Sequence, residues 1–398
     1  MRNRVAEHVA ALPKSGIRKF FDIVAQSKDI VSLGVGEPDF ATPWHISRAA
    51  VTCLENGGTH YTSNLGTPEL RQAICRYLER RFCAKFDWKC EVLATVGVSE
   101  AIDLAIRAIC SPGDEVLYHE PCFVSYAPTI RLAHAVPVCV ETRVEDEFRL
   151  TVDALEEKVT PRTKAILLNF PCNPTGATLS REDMAAILAF CEKHDLLLLA
   201  DEVYSELNYE IDDETDATSG TNGTLPSFAA FPEYRDRVVL LNGFSKSWAM
   251  TGYRLGYACG PTDVIDAMMK IHQYGIMSAP TLAQAAGVEA MDFGDKDVDR
   301  MRREYKKRRD WLVPVLNEMG LKTLMPKGAF YLFVDVRSTG LSDEEFALKL
   351  LKEFGVACVP GSAFGTCGAG FVRMSYATSL DKIKLAASRI AKMLKSIS

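Results

Sequence analysis

The chain has 398 residues, 47% of them apolar and 25% charged, the composition of a globular protein of two or three domains with enough apolar side chains to bury large cores. That balance fits neither a disordered chain nor a membrane protein. A net charge of −6 argues against general nucleic-acid binding.

The first sixteen residues, MRNRVAEHVAALPKSG, are charged and lack a continuous apolar stretch. Nowhere do 18 apolar residues run together, so a cytoplasmic protein is expected. From residue 91 onward two periods alternate. Strands are predicted at EVLAT (91–95), EVLYH (115–119), VPVCV (136–140), KAILLNF (164–170), LLLLA (196–200), RVVLLN (237–242) and LGYAC (255–259). Several are apolar throughout, as strands buried on both faces are. Between some of them lie helical patterns, Ile102, Ala105, Ile106 and Ile109 in one and Met184, Ile187, Leu188 and Cys191 in another. The second opens with Ser180 and Asp183 at capping spacing. The alternation predicts an α/β fold with a mostly parallel sheet covered by helices.

After about residue 290 the pattern changes to a long charged helix, a strand at 328–336 and a late strand at 371–377, which reads as a separate, smaller α+β domain. The basic run MRREYKKRRD (301–310) reads as one solvated helix face, because Trp311, Leu312 and Val315 follow it on an apolar stripe. The acidic segment 211–224 reads as a surface loop, and its Asn222-Gly223-Thr224 sequon carries little weight without a secretory signal. Twelve cysteines are scattered without CxxC pairs or histidine clusters at metal spacing. They read as reduced, mostly buried thiols, and no metal is expected. No internal repeat is present.

Four segments carry unusual residues to one edge of the predicted sheet. Asn173 follows one strand, Asp201 and Tyr204 follow the next, and Ser245 and Lys246 follow a third; Gly97-Val98-Ser99 follows EVLAT and opens a helix. Open α/β sheets bind ligands at the carboxyl ends of their strands. Each residue also has a plain structural reading: Ser99 as a helix cap, Asn173-Pro174 as a turn, Asp201 as a cap, Lys246 as a surface side chain. Together they are more specific, because they suit one ligand with a phosphate, an aromatic ring and an aldehyde.

The motifs SLGVGEPDFATP (32–43), HYTSNLGTPELR (60–71), NFPCNPTG (169–176), ADEVY (200–204), SKSWAMTGYRLGY (245–257) and VRMSYA (372–377) resemble those of the fold-type I pyridoxal-phosphate (PLP) aminotransferases of class I/II. The likeness spans nearly the whole chain. With the segment GIRKFFD (16–22), it is strongest to the archaeal and bacterial aromatic aminotransferases. It implies residues 46–290 as a large cofactor-binding domain, 291–398 as a small domain, and 1–45 as an N-terminal segment belonging to the small one.

The resemblance also implies roles. Lys246 matches the lysine that bonds to the cofactor aldehyde and then moves the substrate Cα proton. It must be available as the neutral amine, which a nearby cation such as Arg254 would favour. Arg254, Ser245 and the helix start at Val98 and Ser99 would hold the phosphate. Asp201 would pair with the ring nitrogen, Asn173 and Tyr204 would hydrogen-bond the phenolic oxygen, and Phe123 would stack on the ring. Arg373 matches the arginine that binds the substrate α-carboxylate, with the Gly36 backbone beside it. Tyr61 matches a tyrosine that reaches the neighbouring subunit's phosphate, implying a homodimer. The implied reaction is a ping-pong transfer of an amino group from an L-amino acid to a 2-oxo acid. Ile17, in a segment that folds over substrate in this family, points to an aromatic or large apolar donor, and Arg18 beside it leaves the γ-carboxylate of glutamate open. Aspartate aminotransferase and PLP-dependent β-lyase remain as alternatives. A PLP-binding transcription regulator would need an N-terminal helix-turn-helix domain, for which no room is expected before GVGEPDF, and a non-catalytic relative would be expected to have lost Lys246 or Asp201.

Overall fold

The computed structural model describes residues 4–12, 29–210 and 224–397, so the acidic segment 211–224 lies outside the described residues except for Thr224. The first strand, β1 (Val31–Ser32), is short. Seven strands then build the main sheet: β2 (Val92–Thr95), β3 (Glu115–Glu120), β4 (Val136–Glu141), β5 (Thr163–Asn169), β6 (Leu197–Asp201), β7 (Val238–Gly243) and β8 (Gly256–Cys259). Their order is β2-β8-β7-β6-β5-β3-β4, and only β8 runs against its neighbours. Six strands therefore share one direction, and their carboxyl ends form one edge.

The apolar runs are continuous because both faces of the sheet are covered. Along β6, Leu198 and Ala200 pack in one layer with Ile187, Leu188 and Cys191 of helix Arg181–Lys193. Leu199 between them packs in the other layer with Ala101, Ile102 and Ala105 of helix Gly97–Ile109. Each such leucine, at most 1% exposed, contributes roughly 1.5–3 kcal/mol by leaving water. The expected capping box opens helix Arg181–Lys193, with Ser180 and Asp183 bonding each other's backbone amides at 3.0 Å. Helix Gly97–Ile109 starts differently. Val96 is its N-cap and Ser99 sits in its first turn, with no side-chain cap. The Glu100 carboxylate instead accepts the Val96 amide at 2.5 Å.

Toward the C-terminus, β9 (Tyr331–Asp335), β11 (Val359–Pro360) and β12 (Phe371–Ser375) form an antiparallel sheet in the order β11-β12-β9, and β10 (Val356–Ala357) pairs in parallel with β1. Val31 and Leu33 share a core with Leu332, Val334 and Met374. The basic run lies within helix Asp295–Glu318, and only part of it is a solvated face: Arg303 and Lys307 are exposed, but three arginines are not. Arg302, Arg308 and Arg309 are 5–8% exposed. Their stems lie along apolar surface while the guanidinium groups reach partners: Arg302 pairs with Asp299 at 3.0 Å, Arg308 with Asp39 at 2.8 Å, and Arg309 donates to the Pro326 carbonyl at 2.7 Å. The cysteines are also less buried than expected. Five are buried, six half-buried, and Cys83 is exposed.

One buried ionic cluster fixes the segment just beyond β6. Glu206, 1% exposed, accepts two hydrogen bonds from Arg81, at 2.6 and 3.0 Å, and one from the Tyr77 hydroxyl at 2.5 Å. Removing one member of a buried pair strands the other charge. Glu206→Ala should therefore lower unfolding stability by about 3–5 kcal/mol, read by chemical denaturation. A loss under about 1 kcal/mol would show that Arg81 finds water instead.

Candidate active site

A cavity of about 360 Å³ opens at the carboxyl edge of the main sheet. The turns after β2, β5, β6 and β7 all contribute to it. Val98 and Ser99 line it from the first, Asn173 from the second, Asp201 and Tyr204 from the third, and Ser245, Lys246 and Arg254 from the fourth. Phe123, following β3, Gly36, following β1, and Arg373, in β12, complete the set that sequence reasoning placed here. Tyr61 is not among them. It is 83% exposed and lines a separate surface cavity with His60, Ile276 and Pro280. Ile17, like the rest of segment 16–22, lies outside the described residues.

Lys246 sits in the helical turn Phe244–Ser247 directly beyond β7. Its amine donates to the Gly36 carbonyl at 2.6 Å. Burial pushes its pKa down to about 8, helped by Arg373 and Arg254 and opposed by Glu37 and Asp201. Desolvation and Arg373 thus outweigh Arg254, the cation expected to do this from sequence.

Arg254 adopts φ +52. Its Nη2 lies 2.7 Å from where a Cβ on Gly97 would stand, and Gly97 itself has φ +75. Any side chain at Gly97 would both strain the backbone and displace the guanidinium from the helix start. Gly256 makes the same demand from β8: a Cβ there would meet the Val98 nitrogen at 2.6 Å.

Asp201 is 4% exposed. One oxygen accepts from the Tyr126 hydroxyl at 2.6 Å and the other from the Val203 amide at 3.2 Å. Burial raises its pKa to about 6, and those two donors hold it from rising further. Asn169, the last residue of β5, donates to the Asp201 carbonyl at 2.9 Å and accepts the Asn173 amide at 2.9 Å, locking the two turns together. The Asn173 side-chain oxygen accepts from Arg373 at 2.8 Å, and Arg373 also donates to the Gly34 carbonyl at 2.7 Å. Among the described residues the Arg373 Nε is buried without a partner, an unsatisfied donor of the kind a ligand satisfies.

Sequence reasoning missed several lining residues: Glu37, Thr251, Asn169 and Tyr331, together with Tyr126 behind Asp201. Asn169 and Tyr126 had a signal. The first ends a strand four residues before Asn173, and the second lies three residues past Phe123 on the helix Tyr126–Leu132. Tyr331 had none, being one aromatic in an apolar strand. Among the described residues, no group of three or more His, Cys, Asp or Glu is arranged to hold a metal ion, and no helix is long and apolar enough to cross a membrane.

A family model described as "Aminotransferase class I and II" matches residues 28–390. The chain is 45% identical to a putative aminotransferase, YugH, of Bacillus subtilis, with 99% of each chain covered. It is 44% identical to an aspartate aminotransferase of Pyrococcus abyssi, with 96% of each covered. Among solved structures, an aromatic aminotransferase of Pyrococcus horikoshii superposes with a TM-score of 0.87 at 42% identity, covering 96% of this chain and 99% of that one.

Proposed function

The chain belongs to the class I and II aminotransferases and is a transferase of amino groups; we propose that it uses PLP to move the amino group of an aromatic or other large apolar L-amino acid to a 2-oxo acid such as 2-oxoglutarate. The observation that carries this reading is the Lys246 amine, with proton affinity lowered to about 8, in one cavity with Asp201, Arg254 and Arg373.

The residues present fit the cofactor. The Arg254 guanidinium lies against the bare Gly97 backbone at a helix start, a cradle suited to a phosphate dianion with Val98, Ser99 and Ser245. Asp201, buried and held by two donors, suits a pyridinium nitrogen. Phe123 would stack on the ring. Asn173 accepts from Arg373 with its oxygen, so its amide donors and the Tyr204 hydroxyl suit the phenolic oxygen. When bound, PLP supplies an electron sink for the charge that develops at the substrate Cα.

The chain's own groups do the rest. Arg373 and the loop at Gly34–Gly36 hold the substrate α-carboxylate, with the Nε of Arg373, unpaired among the described residues, adding a donor. Lys246 Nζ takes the Cα proton and delivers it on the other side of the transfer. Two half-reactions share this site, and the product 2-oxo acid leaves before the acceptor enters. The same reading makes the protein a cytoplasmic homodimer in which the exposed Tyr61 reaches the neighbouring subunit's phosphate site. It also takes residues 46–290 as the large domain and 1–45 with 291–398 as the small one, in keeping with the core that Val31 and Leu33 share with Leu332 and Met374.

The donor class rests on what remains in the cavity. Among the described lining residues the cations are Lys246, Arg254 and Arg373, each with a role above, whereas Val98, Val203 and the Tyr331 ring offer apolar surface. Burying an aromatic side chain contributes roughly 1.5–3 kcal/mol, a preference of one to two orders of magnitude over aspartate. The Pyrococcus abyssi relative's name favours aspartate as a second reading. A panel of donors with 2-oxoglutarate decides between them: kcat/KM for phenylalanine, tyrosine or leucine should exceed that for aspartate. The reverse order would make aspartate the donor and leave the cofactor roles in place.

A further inference from the structure

Tyr331, in β9, is 1% exposed and looks at first like core. A phenylalanine would fill the same space. Its hydroxyl, however, lies 2.8 Å from the Tyr204 hydroxyl. From the other side the Gly36 backbone comes so close that a Cβ there would stand 2.7 Å from the same oxygen. The Arg373 guanidinium lies over the Tyr331 ring at 4.4 Å. One phenol thus touches the neighbours of both ends of the cavity, the tyrosine read as a cofactor ligand and the arginine read as the carboxylate ligand.

A hydroxyl carries one proton. If Tyr204 donates to a ligand, it cannot also donate to Tyr331, so Tyr331 must be the donor in their hydrogen bond. Resting on the PLP reading, we propose that Tyr331 is a positioning residue that donates to Tyr204 and commits the Tyr204 proton to the cofactor's phenolic oxygen. A donor that itself accepts a hydrogen bond is strengthened. A stronger donor at the phenolic oxygen favours the form in which that oxygen carries unbalanced negative charge, which is the deprotonated form of the Lys246–cofactor linkage. Tyr331 therefore holds the pH midpoint of that linkage down. Of the charged groups around Lys246, Arg373 and Arg254 lower its proton affinity and Glu37 and Asp201 raise it. Tyr331→Phe removes none of them and keeps the ring beneath Arg373.

The experiment titrates the visible absorbance of the holoenzyme against pH in the wild type, Tyr331→Phe, Tyr204→Phe and the double variant. Tyr331→Phe should move the midpoint in the alkaline direction by roughly 0.3–0.6 unit, with kcat falling more than KM changes. In the Tyr204→Phe background the same substitution should move it by less than about 0.1 unit, since the route through Tyr204 is gone. An unchanged midpoint in Tyr331→Phe overturns the proposal, as does a full shift that persists without the Tyr204 hydroxyl. A wild-type protein with no visible cofactor band at any pH would instead overturn the cofactor reading on which the proposal rests, and a band that does not titrate would overturn the proposal alone.

Discussion

Lys246→Ala is expected to abolish transamination to within about one part in 10⁴ of the wild-type rate or less, because on the proposed reading it removes both the cofactor's covalent anchor and the base that moves the Cα proton. The fold should survive. Among the described residues Lys246 contributes one hydrogen bond, to the Gly36 carbonyl, and its ammonium is held in a site that disfavours charge. Cofactor should still bind, through Arg254 at the helix start and Asp201 at the far end of the ring, and co-elute with the protein on gel filtration. Stopped-flow mixing with phenylalanine should then show substrate binding without turnover. A variant that still completed half-reactions near the wild-type rate would require a different base, and no other lysine lines the cavity among the described residues.

Asp201→Asn is expected to slow Cα proton removal by roughly 10²–10³-fold while changing substrate KM much less. The amide has the shape of the carboxylate, and its oxygen can still accept from Tyr126 or Val203, so packing is preserved. On the proposed reading the charge opposite the cofactor's ring nitrogen is lost. With it goes the reason for that nitrogen to stay protonated and draw electrons from the reacting carbon. Because Asp201 is buried, with a pKa raised to about 6 by desolvation, no solvent ion replaces it. Single-turnover kinetics in each direction separate the two effects. Unaltered half-reaction rates in Asp201→Asn would contradict the assigned role.

The sheet was legible because its central strands are covered on both faces and so have no polar alternation to disguise them. The position of the carboxyl-edge residues was legible for the same reason: Asp201 directly follows an apolar run, and Asn173 and Lys246 come three and four residues after one. The basic run at 301–310 misled because charge periodicity alone assumes that arginine heads face water. Arg308 instead finds Asp39, about 270 positions away, which the local sequence does not announce. The lowered proton affinity of Lys246 was expected, but its leading causes were not: burial and Arg373 depend on β12 being brought to the cavity that Lys246 lines. Tyr331 was hidden for a related reason. A tyrosine and a phenylalanine satisfy an apolar strand equally well, and only the Tyr204 hydroxyl and the Gly36 backbone, brought from two other segments, make the difference between them.

The central claim is that Lys246 holds the cofactor, and borohydride reduction of the purified holoenzyme followed by peptide mapping tests it most directly. Reduction should fix one cofactor per chain to the peptide containing Ser245-Lys246-Ser247 and end activity. A cofactor fixed to any other lysine, or none fixed while activity persists, would contradict the account.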